Sequence, residues 1–266
     1  DLVKQEKPIW KTKDEAKEYL TINDGDTFNF FSVYYNQSRD VHPPLFYFVV
    51  HIVSSICFGT FSKYIIFAIN LIFFILSCLI LRKVLILLNR RHLTIPLMIL
   101  YGFSIGATST VIFLRMYQML VFFTLLSLYL HIKIIKNDYD INRKTRNELI
   151  VTTILGFLTQ YYFCIFAFLE FIVLIVILVK KKKYDVLKKY IKYHIISAII
   201  GIIIFPASIY HIFFSYRGMG ADIKVNLLNS IITYINELGY SFSMSGITLL
   251  LIFAIISIIL SILIIK

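Results

Sequence analysis

Asp40 and His42 stand two residues apart in Ser38-Arg39-Asp40-Val41-His42-Pro43-Pro44-Leu45. A carboxylate beside an imidazole can exchange protons or hold a ligand. The same two residues could equally serve as a helix cap and a surface histidine. Arg115 stands in Phe113-Leu114-Arg115-Met116-Tyr117-Gln118, eighteen residues before Lys133, or about 27 Å along a helix. At that position, the mouth of an apolar helix, a guanidinium can grip a phosphate through paired N–H bonds or anchor the helix by snorkelling. Glu170 lies ten residues before Lys180 in an apolar run, about 15 Å deep on a helix. It must face other helices or a wet cavity. It is expected either to be protonated or to pair with a hydroxyl or amide, such as Gln160 or Tyr161 on the outer side. His51 and His211 read as bonded core histidines. Asp14-Glu15, within Lys13-Asp14-Glu15-Ala16-Lys17-Glu18, has the i to i+3 and i+4 charge spacing of a solvated helix face.

The elements that must position these groups are apolar helices. Apolar residues make up 59% of the 266 and charged residues only 16%, and mean hydropathy is +0.80. That is too much apolar surface for one water-soluble core. A soluble enzyme and a disordered chain are therefore excluded. Cys57, Cys78 and Cys164 are an odd, scattered set and read as small apolar residues, which excludes a disulfide-stapled domain. Val/Ile-rich runs without period-2 alternation exclude an outer-membrane barrel. No P-loop, GxGxxG, HExxH or serine-hydrolase elbow is present.

Seven spanning helices are expected, over 62–81, 93–112, 115–132, 148–162, 163–179, 194–214 and 246–265. Pro43–Phe58 opens with two prolines and is too short to span, so it reads as an embedded juxtamembrane helix. With it uncounted, seventeen of the 27 Lys and Arg fall on one side. That side is then cytoplasmic, and the basic balance reports membrane orientation, not nucleic-acid binding. The resulting organisation is an extracytoplasmic first loop with juxtamembrane helices (1–61), a transmembrane bundle (62–214), a second extracytoplasmic loop (215–245) and a last transmembrane helix (246–266). Lys13–Leu20 and Ile223–Leu238 read as amphipathic helices of the two outer loops. A polar start on the outer side predicts a further helix upstream of Asp1.

Asp40-Val41-His42-Pro43-Pro44-Leu45-Phe46-Tyr47 resembles the D-x-H-P-P-L-aromatic element of the polytopic GT-C glycosyltransferases. The nearest group is the protein O-mannosyltransferase-like set, glycosyltransferase family 39, with the aminoarabinose transferases of lipid A among its bacterial relatives. Arg115-Met116-Tyr117-Gln118-Met119-Leu120 is similar to their R-[MY]-Y-x-x-[ML] element. Leu158-Thr159-Gln160-Tyr161-Tyr162 is similar to their L-T-H-Y helix end, with Gln160 in place of His. The likeness covers most of residues 30–180.

The resemblance implies an all-α, GT-C-like polytopic membrane enzyme of the bacterial plasma membrane. It would move a sugar from a polyprenyl-phosphate donor to a protein, lipid or cell-wall acceptor. Asp40, His42 and Arg115 would carry the chemistry, with Tyr117, Gln160, Tyr161 and Glu170 binding donor or acceptor. In the family the general base belongs to an Asp-Glu pair after the first helix. That pair is expected upstream here, so the chain reads as truncated at its N-terminus, and at its C-terminus as well. No cofactor motif is present. A divalent cation could sit on Asp40 and His42, but two ligands do not make a site. The expected partners are the donor lipid and membrane lipids. The rival classes are a transporter or lipid flippase, for which Glu170 is the supporting feature, and a non-catalytic membrane protein.

Overall fold

Helix starts are marked by side chains that accept from the first free backbone N–H groups. Ser62 accepts from Tyr64 N, Ser104 from Ala107 N and Asn142 from Thr145 N. Each removes one orphan donor at a helix start. The computed structural model describes residues 25–60, 62–215 and 227–242, with 10, 12–15, 21–23, 248 and 251 as short stretches or single positions. Among the described residues the long elements are all helical. They are α1 (Phe30–Arg39), α2 (Leu45–Ile56), α3 (Lys63–Leu87), α4 (Thr94–Gly102), α5 (Ile105–Ile112), α6 (Tyr117–Lys136), α7 (Arg143–Thr159), α8 (Tyr162–Lys180), α9 (Tyr184–Ile204), α10 (Ala207–Phe213) and α11 (Leu227–Ser241).

Among the described residues three helices are long and apolar enough to cross a membrane: α3, α6 and α8. Two bent pairs, the segment Arg91–Gly102 with α5 and α9 with α10, bring the number to five if each counts as one span. The burial pattern inverts that of a water-soluble bundle. On α8, Ile165, Phe168, Leu169, Ile172, Val173 and Val176 are exposed, a lipid-facing stripe at 3.6-residue spacing. Asn70, Ser77, Gln118, Ser127, Thr152, Glu170 and Ser197 are buried between helices, where polar groups find partners out of lipid.

The helix at 93–112 is bent by 59° where Phe103 leaves the helix and Ser104 caps the next one. The helix expected at 194–214 begins earlier, at Tyr184, and turns by 102° at Phe205-Pro206. Pro206 biases Phe205 out of the helical region, and Phe205 sits at φ −137°, ψ 77°. The helix expected at 62–81 continues to Leu87, carrying Arg82 and Lys83, whose long stems let the charges reach water. The embedded segment is helical over Leu45–Ile56, with Pro44 as its cap. Its twelve residues reach about 18 Å, less than a hydrocarbon core.

At one end of the bundle lie the basic connections. Lys133 Nζ meets Glu148 Oε2 at 2.9 Å, and Lys183 Nζ meets Asp138 Oδ2 at 3.7 Å. The α6–α7 and α8–α9 connections therefore share that end, over a core of Ile134, Leu149, Leu174, Leu178 and Tyr190. The opposite end carries the α2–α3 and α7–α8 connections and the segment between α5 and α6. At 12–15, Thr12 and Glu15 form a reciprocal capping box, with Glu15 Oε2 accepting from Thr12 N at 2.8 Å and Thr12 Oγ1 accepting from Glu15 N at 3.2 Å. The remainder of the expected Lys13–Leu20 helix, positions 223–226 of the second outer helix and nearly all of 246–265 lie outside the described residues.

Candidate functional site

Phe46, Met116 and Phe163 belong to one buried cluster. Each adjoins one of the three segments singled out in the sequence. Phe46 opens α2 just after Asp40–Pro44, Met116 follows Arg115, and Phe163 follows Gln160-Tyr161. Packing of these three side chains gathers the segments at the end of the bundle away from the lysines.

Asp40 caps the C-terminus of α1, its N–H bonded to Asn36 O and Gln37 O. The chain then runs through Val41 and His42 to the two prolines before α2. His42 is 5% exposed, and its Nδ1–H donates to Asp40 Oδ2 at 2.9 Å. In the neutral ring this bond leaves Nε2 as the basic nitrogen. The pair is thus formed, and it does not serve as an N-cap for α2, whose cap is Pro44.

Arg115 lies two residues before α6, in the segment between α5 and α6, and is exposed. Its guanidinium sits 5.6 Å from the centroid of the Phe113 ring. No described acid lies within ion-pair distance of it. Two buried amides hold this segment. Asn70 Nδ2 donates to Val111 O at 3.3 Å and Phe113 O at 3.1 Å. Gln118 Oε1 accepts from Thr110 Oγ1 at 2.6 Å, and its Nε2 reaches Ser77 Oγ and Tyr101 OH at 3.3 Å each. Asn70 and Gln118 are both 0% exposed.

Gln160 ends α7 in extended conformation and its Oε1 accepts from Tyr161 N at 2.8 Å. The Tyr161 hydroxyl meets His211 Nδ1 at 2.9 Å, and His211 Nε2 meets Ser38 O at 3.1 Å. A carbonyl only accepts, so Nε2 carries hydrogen. In the neutral ring Nδ1 therefore accepts from Tyr161. His211 is bonded, as expected, and it is also part of the site: with Tyr117, Gln160 and Tyr161 it lines a cavity of about 360 Å³. Asp40 lies within electrostatic reach of Tyr161.

Glu170 stands apart from this group. The outer-side groups offered as partners, Gln160 and Tyr161, are ten and nine residues earlier, about 15 Å along the helix. Instead, the Ser127 hydroxyl pairs with Glu170 Oε2, and His131 Nδ1 lies 3.4 Å from the same oxygen. His131 Nδ1–H donates to Ser127 O at 2.8 Å, and Nε2 meets Tyr190 OH at 2.7 Å. The sequence hid this network because His131 lies two residues from Lys133, at the expected helix end, whereas α6 runs on to Lys136. Asn70 was detectable as a lone amide in an apolar run, but nothing in its spacing tied it to Arg115.

His51 is not the bonded core residue its position suggests. Its Nε2 is buried without a hydrogen-bond partner. Among the described residues no group of three or more His, Cys, Asp or Glu could hold a metal ion. Cys57, Cys78 and Cys164 are all free thiols. Compared with known proteins, the chain matches no protein-family model, no curated protein and no solved structure.

Proposed function

We propose that the chain is a GT-C-like membrane glycosyltransferase that moves a sugar from a polyprenyl-phosphate donor to an acceptor on the face opposite the lysine-rich loops. The supporting observation is the convergence of the Asp40–His42 pair, Arg115 with Tyr117, and Gln160-Tyr161 around the Phe46–Met116–Phe163 cluster. Only the embedding of several long apolar helices is needed for a membrane protein; the seven-span GT-C architecture is part of the proposal.

The chemistry is a substitution at the anomeric carbon. The acceptor oxygen or nitrogen forms the new bond to that carbon while the bond to the lipid phosphate breaks. The acceptor proton goes to a carboxylate, for which Asp40 is the candidate of this site; the resemblance assigns it to an Asp-Glu pair instead. Arg115, exposed and without an acidic partner among the described residues, meets the negative charge that gathers on the leaving phosphate. His42, held by Asp40, orients the donor phosphate or the segment before α2. Tyr117, Gln160 and Tyr161 line the cavity that receives the donor.

The test is transfer of a radiolabelled sugar from synthetic polyprenyl-phosphate donors by the protein in lipid vesicles. Label moving to an acceptor, with free polyprenyl phosphate released, supports the reading. A second reading, a transporter, is favoured by the Glu170–Ser127–His131 network, because ionisable groups inside a membrane mark proton or solute paths. Uptake of a solute or proton into sealed vesicles, with no transfer from any donor lipid, selects that reading.

A further inference from the structure

A second cavity, of about 340 Å³, lies between α1 and α2. It draws on positions 33, 36 and 37 of α1 and on 47, 50, 51 and 54 of α2. The α2 set is the i, i+3, i+4, i+7 face of a helix. It is a different face of α1 from the one that reaches the site described above, where Tyr34 donates to Ile204 O and Ser38 accepts from His211. The turn before α1 closes the cavity through Asp26, held by its N–H bond to Asn23 O at 3.1 Å. The same turn is pinned to α2 by Phe28 N donating to Ser55 Oγ at 3.0 Å.

The chemistry of the walls narrows the occupant. Asn36, Gln37, His51, Ser54 and Asp26 supply two carboxamides, an imidazole, a hydroxyl and a carboxylate. Gln37 Oε1 and His51 Nε2 are both buried and have no hydrogen-bond partner. Buried polar atoms of that kind are normally satisfied by protein, water or ligand. An amide oxygen and a carboxylate ask for donors. No Lys or Arg is among the described lining residues, so a phosphate would meet no countercharge and one repelling carboxylate. The volume is at the lower end of small-molecule sites, which suits one sugar-sized molecule.

We infer that this groove binds an uncharged, hydroxyl-rich small molecule of the size of a monosaccharide, and that it is the acceptor side of the proposed transferase. The acceptor assignment rests on the reading under Proposed function; the binding assignment rests on Gln37, His51 and the groove itself. Of the acceptor classes implied by the resemblance, it selects a glycan hydroxyl over a protein side chain or a lipid amine.

The experiment is saturation-transfer NMR on the protein in lipid nanodiscs, using the methyl glycosides of mannose, glucose and N-acetylglucosamine as probes, with glucose 6-phosphate as the charged counterpart. At least one methyl glycoside is expected to receive saturation and to bind more tightly than glucose 6-phosphate. Gln37→Leu and His51→Phe should each weaken it by about tenfold, the loss of one hydrogen bond. Ser54→Leu, which fills the groove from α2, should abolish the signal and serves where either of the first two fails to fold, as judged by thermal unfolding. Saturation of none of the three glycosides overturns the inference, as does a signal unchanged in all folded variants. Sugar transfer from a donor lipid without glycoside binding would remove the groove and keep the transferase. Glycoside binding at the groove without any transfer would do the reverse.

Discussion

The Tyr161 hydroxyl donates to His211 Nδ1 at 2.9 Å while His211 Nε2–H donates to Ser38 O at 3.1 Å. One buried imidazole thereby joins three elements distant in sequence: the α7–α8 turn, the short α10 and the end of α1. The 102° bend at Phe205-Pro206 makes this possible. A straight helix would carry His211 seven residues, or about 10 Å, beyond Ile204. The bend folds α10 back against α1, where Phe205 also packs edge-on to Tyr34 at 5.4 Å.

His211→Phe should therefore destabilise the protein by about 1–3 kcal/mol, because the Ser38 carbonyl and the Tyr161 hydroxyl lose their partner. Tyr161→Phe should cost less, since His211 keeps its bond to Ser38. In a double-mutant cycle read by thermal unfolding in one detergent, the two changes should couple by about 0.5 kcal/mol or more. Strict additivity would show that the bond does not join these elements.

Arg115→Ala should lower sugar transfer by about 10²–10³-fold, the usual loss when a charge-stabilising group is removed. Expression and unfolding temperature should hardly change, because the residue is exposed and its segment is fixed by Asn70 and Gln118. Arg115→Lys should recover only part of the rate, since an ammonium cannot make the paired bonds of a guanidinium. Turnover near the parent value in the alanine variant would remove the phosphate role.

Asn70 adds a distinguishing case. Asn70→Leu leaves the guanidinium intact but frees the Phe113 carbonyl it holds. Transfer should fall at every donor concentration, and the unfolding temperature should fall with it. A variant with a parent-like unfolding temperature and parent-like transfer would show that the Arg115 segment is held by other contacts.

How much of this was legible in the sequence depends on the range of the interaction. The helical character of the chain and the short embedded helix follow from apolar run length and the paired prolines, which are local. The Asp40–His42 pair also follows, because two residues of separation suffice to bring them into contact. The bend at Phe205-Pro206 was signalled by the proline but its size was not, since the angle is set by packing of α10 against α1. A hydroxyl partner for Glu170 is expected from the sequence, but its location is not legible, for a similar reason. Gln160 and Tyr161 lie near it in sequence, whereas Ser127 and His131 arrive from another helix across 43 and 39 positions. Helix rotation decides such pairings, and an apolar run without polar punctuation does not reveal its rotation. The orphaned His51 nitrogen could not be read at all, because it depends on what α1 places opposite α2.

The buried network around Glu170 tests the alternative function as well as the packing. Glu170→Ala should destabilise by about 1–3 kcal/mol, because Ser127 and His131 lose a shared buried partner. Glu170→Gln keeps the shape and one acceptor, so it should cost less. In a transferase both folded variants should retain sugar transfer, since the network is remote from the Arg115 end. Loss of transfer in Glu170→Gln with unchanged unfolding would place this residue in the reaction and count against the site as assigned.

Gly156 of α7 lies against the Phe163 ring of α8. A Cβ added there would fall 2.5 Å from the Phe163 ring, inside any real contact distance. Phe163 is 1% exposed and belongs to the cluster that holds Phe46 and Met116, so displacing its ring disturbs that packing. On helix propensity alone Gly156→Ala would stabilise by about 0.5–1 kcal/mol. Overpacking costs about 1–3 kcal/mol, and the clash should win. The expected result is a lower unfolding temperature for Gly156→Ala, together with reduced transfer as the Gln160-Tyr161 turn is pushed from its place. Phe163→Leu in the same chain should recover part of the lost stability by making room for the methyl group. An alanine variant at least as stable as the parent would show that Phe163 does not pack over Gly156, and the link from the core cluster to the Tyr161 side of the site would fall with it.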